Sequence, residues 1–116
     1  MLKDASSAFK YFMQTVKMDP FFSHGFTFLG HYYREHKKDH ARAKKCYQKA
    51  YVLNPLDTDA ALHLTDYYIA DNEQDEAEAV FRQVTESSPK TGWAWRRMGH
   101  LNLVRSSMFF FLERII

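Results

Sequence analysis

The chain has 116 residues, 46% hydrophobic, 16% aromatic and 26% charged, which suits one small globular domain and leaves no room for a second. Sixteen Lys and Arg against fourteen Asp and Glu leave a net charge of +2, so the overall field argues neither for nucleic acid nor for an anionic membrane. With 4 Gly, 3 Pro and the single Cys46, a loop-rich, collagen-like or disulfide-framed chain is excluded, and long helices in an intracellular, reducing compartment are expected.

In chain order, the first seven residues hold no apolar stretch fit for a signal peptide, and the first helix is predicted over 4–18. Its apolar stripe is Ala8, Phe12 and Thr15, closed by Pro20. A second helix follows over 22–36, patterned Phe26-x2-Leu29-Gly30-x2-Tyr33. The third, over 40–53, carries Ala43, Tyr47 and Ala50 before Pro55, with Asp39 placed to cap its start. The fourth, over 57–71, returns to the earlier pattern as Ala61-x2-Leu64-Thr65-x2-Tyr68. The fifth, over 74–87, has Ala77, Phe81 and Val84 before Pro89, and the sixth, over 91–105, has Trp95-x2-Met98-Gly99-x2-Asn102. Residues 106–116 fall out of register: they lack the Ala and aromatic pair and the closing Pro, and they are too apolar to cap a solenoid end. The longest unbroken apolar run, Met108 to Leu112, is far below the ~18 residues of a membrane span, and mean hydropathy is −0.50, so a soluble chain is expected.

The three prolines lie 35 and 34 residues apart, and the apolar residues before each fall at identical offsets. Each unit is therefore a helix pair, in which small residues at Gly30, Gly99, Ala43 and Ala77 admit close helix contact and Tyr47 and Phe81 fill the space between pairs. The one extra residue of the first interval is expected in the loop around His36 to Asp39.

This pattern resembles the tetratricopeptide family over residues 4–105. The resemblance implies an all-α, right-handed superhelical solenoid of about six helices, with a half repeat at 1–20, full repeats at 23–56 and 58–91, and the first helix of another at 92–105. Residues 106–116 remain as an apolar, out-of-register tail, predicted to make the chain aggregation-prone through Met108 to Leu112.

Chemistry is sparse. His36 and His40 have the i, i+4 spacing of metal ligands, but a new helix starting at Asp39 separates them, and no metal or cofactor is expected. No nucleophile elbow or phosphate loop is present, and the acidic run Asp71 to Glu78 reads as helix initiation, so an enzyme is not expected. Cys46 reads as a small buried hydrophobe. The basic run Arg34 to Lys45 reads as a solvated surface, with RNA contact as its alternative.

The tetratricopeptide resemblance implies a concave groove lined by first-helix side chains: His24, Thr27, Phe28 and His31, then Asp59, Leu62, His63 and Asp66, then Trp93, Arg96, Arg97 and His100. Its character runs from histidine and aromatic through acidic to Trp and paired Arg, suiting an extended peptide or a partner's helix. Of the positions with which the family's chaperone-binding members clamp a C-terminal carboxylate, Arg97 alone matches, while Thr27, His31, His63 and Trp93 depart, which disfavours a cochaperone.

The runs Phe28 to Glu35, Ala41 to Ala50 and Trp93 to Arg97 narrow the resemblance to the tetratricopeptide scaffold subunits of the superkiller complex, over residues 8–104. That resemblance implies a non-catalytic cytoplasmic scaffold, with a possible nuclear pool, that supports the helicase feeding mRNA to the exosome for 3′ to 5′ decay. Its partners would be that helicase and other complex subunits, with RNA contacted weakly or indirectly and no membrane. Those subunits are long arrays, so a chain stopping within its fourth unit reads as a fragment, a mistaken gene model or a short form. A generic adaptor for an unrelated complex is the second reading and an RNA-binding helical repeat the third.

Overall fold

The computed structural model describes the backbone of residues 2–115 and the side chains of residues 5–106. It is all-helical, with α1 at Leu2–Met18, α2 at Ser23–Tyr32, α3 at His40–Leu53, α4 at Thr58–Ala70, α5 at Gln74–Ser87 and α6 at Gly92–Ile115. Each helix packs chiefly on its neighbours in sequence, and the resulting stack measures 56 × 29 × 23 Å. The expected all-α repeat architecture is present, and α1, α3 and α5 each end two residues before a proline, at Pro20, Pro55 and Pro89.

The core is the repeat stripe. Ala43, Tyr47, Ala50, Ala60, Ala61, Ala77, Phe81 and Ala94 are fully buried, and Leu64 and Val84 nearly so. Burial of one large side chain of this kind stabilises by roughly 1.5–3 kcal/mol, and the alanines keep the helices close enough for the two aromatics to wedge between pairs. Ala8, Phe12 and Thr15, the matching stripe of α1, are only half-buried, because α1 packs chiefly against α2. There Phe12 stacks on Phe28 at 4.2 Å and Phe9 on Tyr32 at 4.4 Å.

Of the two small residues expected to admit a partner helix, Gly30 does so. A methyl group there would lie 2.8 Å from the Tyr47 ring. Gly99 does not: a methyl group there would meet nothing within 4 Å, since no second helix covers that face of α6 among the described residues.

The extra residue of the first repeat is not in a loop. It is absorbed as a π-helical turn, Tyr33–Lys37, which continues α2 with the Lys38 N–H donating back to the Tyr33 carbonyl. The turn ends with Lys38 in the left-handed region at φ 52°, and Asp39 then caps α3 by accepting from the Arg42 N–H at 3.1 Å. In the next repeat Asn72 takes the same left-handed place at φ 61° without a π turn before it. One added residue in a helix is accommodated by widening a single turn, which keeps the flanking turns α-helical.

The sixth helix was expected to stop near 105, but it runs on to Ile115. Nothing after Gly99 is a helix breaker, so backbone propensity carries α6 past the repeat boundary. The apolar segment Met108 to Leu112 therefore continues a helix, and its side chains lie outside the described residues. No helix of the described residues is long and apolar enough to cross a membrane.

Candidate functional site

The residues expected to line a groove sit on α2, α4 and α6, and the fold gathers them into three stations rather than one continuous strip. At the first, Phe28 and His31 line a cleft of about 290 Å³ with Ala5, Ala8, Tyr32, Glu35 and His36. His24 is exposed and lies against the Phe22 ring, outside the lining of that cleft. Thr27 is not a groove residue. It is buried, and its hydroxyl donates at 2.9 Å to Asp57, the residue that also caps α4 through the Asp59 and Ala60 N–H groups. Buried and committed to Asp57, Thr27 presents no surface to a partner.

The middle station brings together His31, Asp59 and His63. His31 Nε2 lies 2.9 Å from Asp59 Oδ2, and His63 Nε2 lies 3.3 Å from Asp59 Oδ1. The two imidazoles meet edge to face, with centroids 5.0 Å apart. Behind them the buried Tyr47 hydroxyl is 2.6 Å from His31 Nδ1, and the Tyr47 ring stacks on His63. The Arg34 guanidinium reaches across from the π turn to His63 and also donates to Glu35 at 2.8 Å. Burial, helped by the nearby Arg34 charge, holds the His63 imidazole below its ordinary range, and burial pushes the Tyr47 phenol upward. Leu62 is half-buried beside this station on α4.

The third station holds Asp66, Arg97 and His100, with Ile69, Gln74, Leu101 and Val104, around a cleft of about 280 Å³. Arg97 pairs with Asp66 and lies over the Trp93 ring at 5.9 Å. Trp93 is half-buried with its edge on Phe81, so it belongs partly to the core, whereas Arg96 and His100 are exposed.

The two charged runs are largely consumed inside the fold. Lys44 donates to Asp71 at 2.8 Å and to Glu73 at 2.5 Å. Arg105 donates to Glu78 at 2.5 Å and to Asp75 at 3.1 Å, so the acidic run serves cross-repeat ion pairs as well as the start of α5. Arg42 lies over the Tyr33 ring, and Arg34 is engaged as above, which leaves Lys37, Lys38 and Lys45 exposed in the basic run. A continuous phosphate-binding stripe is not formed by it.

His36 and His40 do not meet. His36 lies against the Tyr32 ring, and His40 Nδ1 is 2.8 Å from the Tyr67 hydroxyl. The cluster of ligand-type residues is elsewhere, at His31, Asp59 and His63. Asp59 and His63 already show the i, i+4 spacing that shares one helical face, but His31 joins them only through stacking of the repeats. Arg34 and Tyr47 are the residues of this station that sequence reasoning placed elsewhere, in a surface run and in the core. Cys46 is half-buried beside Met13, Val16, Phe26 and Leu29, and burial pushes its thiol up to about 11.

Comparison with known proteins agrees with this architecture. The tetratricopeptide repeat family profile matches residues 24–55. The chain is 38% identical over 99 residues to Tetratricopeptide repeat protein 37 of Xenopus laevis and 32% identical over 99 residues to human Superkiller complex protein 3, each match spanning 84% of this chain and 6% of the relative. It is 41% identical over 66 residues to Superkiller protein 3 of Saccharomyces cerevisiae, across 57% of this chain and 5% of that protein. The chain thus spans less than a tenth of the length of these relatives. The repeats described here are tetratricopeptide repeats, and the chain shares partial homology with the superkiller tetratricopeptide proteins.

Proposed function

We propose that this chain acts as a non-catalytic interaction scaffold of the superkiller type, serving the cytoplasmic machinery that feeds mRNA to the exosome for 3′ to 5′ decay. The observation that carries this reading is the span of the likeness: it runs over 84% of the chain, well beyond the single matched repeat. Scaffolding suits the groove, where two clefts flank a polar middle and the third station offers the exposed His100 beside the apolar Ile69, Leu101 and Val104, with Arg97 reaching an acidic partner side chain in exchange for Asp66. A partner's helix or extended segment with apolar anchors and an acidic side chain fits that station.

Affinity purification of the endogenous protein tests this, with the superkiller helicase as the expected co-purifying partner. The informative variant is Arg97→Ala with His100→Ala, because Trp93→Ala would also remove packing from Phe81. Loss of one interface anchor costs ~2 kcal/mol or more, so the double variant should recover much less helicase while retaining helicity. Recovery of chaperones or of free RNA without any decay factor would overturn the assignment.

A further inference from the structure

We propose that His31, Asp59 and His63 form a binding site for a divalent transition-metal ion of the zinc class, held between α2 and α4. One ligand atom from each of the three residues lies within 4.8 Å of the other two. His31 Nε2 lies 2.9 Å from one oxygen of Asp59 and His63 Nε2 3.3 Å from the other, so both imidazole nitrogens face the same carboxylate as ligands of one ion would. With metal–ligand distances of about 2.0–2.1 Å, such ligands stand roughly 3.3 Å apart. Two imidazoles and one carboxylate make a three-ligand zinc set, and the exposed side of Asp59 leaves the fourth position to water.

The surroundings favour this role for His31. Its Nδ1 is 2.6 Å from the Tyr47 hydroxyl, and the fully buried Tyr47 is fixed by the core. At 2.9 Å from a carboxylate oxygen that can only accept, His31 Nε2–H donates to Asp59; a bound metal takes the place of that proton, and Nδ1–H then donates to the Tyr47 oxygen, the arrangement in which outer partners orient a metal-bound histidine. Arg34 acts against the site. Its guanidinium adjoins His63, and a cation entering there must displace it toward Glu35, which it already contacts at 2.8 Å. The π turn that delivers Arg34 thereby lowers the affinity of the site.

The next junction of the array serves as an internal contrast. At the positions that correspond to His31, Asp59 and His63 it carries Asp66, Trp93 and Arg97, and it is closed by the Asp66–Arg97 ion pair. Phe81 takes the place of Tyr47, with no hydroxyl to orient a ligand. The two junctions share a backbone plan and differ in side-chain chemistry, which confines the metal-type donor set to the first.

The test is a Zn2+ titration of the full 116-residue chain after chelator treatment, followed by equilibrium dialysis and by ring-proton resonances of the histidines. Binding of one equivalent that perturbs His31 and His63, but not His36 or His40, is expected. His31→Gln and His63→Gln should each weaken binding by about tenfold or more, and Tyr47→Phe by about tenfold. Phe81 shows that the fold accepts Phe at that place, so Tyr47→Phe separates lost ligand orientation from lost folding. Arg34→Gln should tighten binding. Absence of zinc binding by the folded wild-type chain, or undiminished binding by a folded His31→Gln, His63→Gln double variant, would overturn the proposal.

Discussion

The Asp39 N–H donates to the Tyr33 carbonyl at 3.0 Å, bridging six positions, whereas one repeat later the Glu73 N–H donates to the Tyr68 carbonyl at 2.7 Å across five. The first repeat is one residue longer at this corner, and the π turn lets both corners close on a left-handed residue. Lys38 fills that position in the first repeat, at φ 52°.

Lys38→Gly should therefore stabilise the protein. A side-chain-bearing residue in the left-handed region costs ~1 kcal/mol relative to glycine. Asn72→Gly should gain less, because asparagine tolerates that region better. Urea denaturation of the two variants against wild type checks this. Equal or negative gains would show that the Lys38 corner is held by something other than backbone conformation.

Glycine replacements at the two matched helix positions should have opposite effects. Gly30→Ala would press a methyl group into the Tyr47 ring at 2.8 Å and should destabilise, by about 1–3 kcal/mol as overpacking does. Gly99→Ala meets open space and removes a flexible residue from a helix interior, so a gain of about 0.5–1 kcal/mol is expected. Thermal unfolding of both variants reads the sign directly.

Ala43→Leu or Ala77→Leu should cost about 1–3 kcal/mol, because both positions are fully buried and extra methylenes have no space. Lys49→Leu is the proper surface control. Lys44 is unsuitable, since its ammonium is tied to Asp71 and Glu73 and its loss would break two ion pairs. A midpoint for Ala77→Leu no lower than that of Lys49→Leu would contradict the packing described.

The Cys46 thiol is pushed from 9.0 to about 11 by burial. The folded chain thus keeps a proton that the unfolded chain releases between those values, so stability falls as pH rises through that window. Cys46→Ala should lessen this alkaline loss without removing it, as read by denaturation midpoints at stepped pH, because the Tyr47, Tyr51 and Tyr67 phenols are also raised by burial and hold their protons in the folded chain. Alkylation of the native thiol near pH 8 should be slower than in the unfolded chain by about two orders of magnitude, the ratio of thiolate fractions for two pKa units.

What the sequence determined by itself was the repeat. Pro spacing and the Ala, aromatic and small-residue offsets define the helix pairs and the buried stripe of Ala43, Tyr47, Ala50, Ala77, Phe81 and Val84, because helical periodicity and core packing are local and recur in every unit. The cap at Asp39 was legible for the same reason. The tertiary structure decided what depends on neighbours. Thr27 became a link to Asp57 instead of a groove residue, and Trp93 became partly core. Gly99 faced open space where Gly30 met Tyr47, and Lys44 and Arg105 were drawn to the acidic corner. His31 met Asp59 and His63, 28 and 32 positions away, because stacking successive first helices superposes side chains that the linear sequence keeps a whole repeat apart.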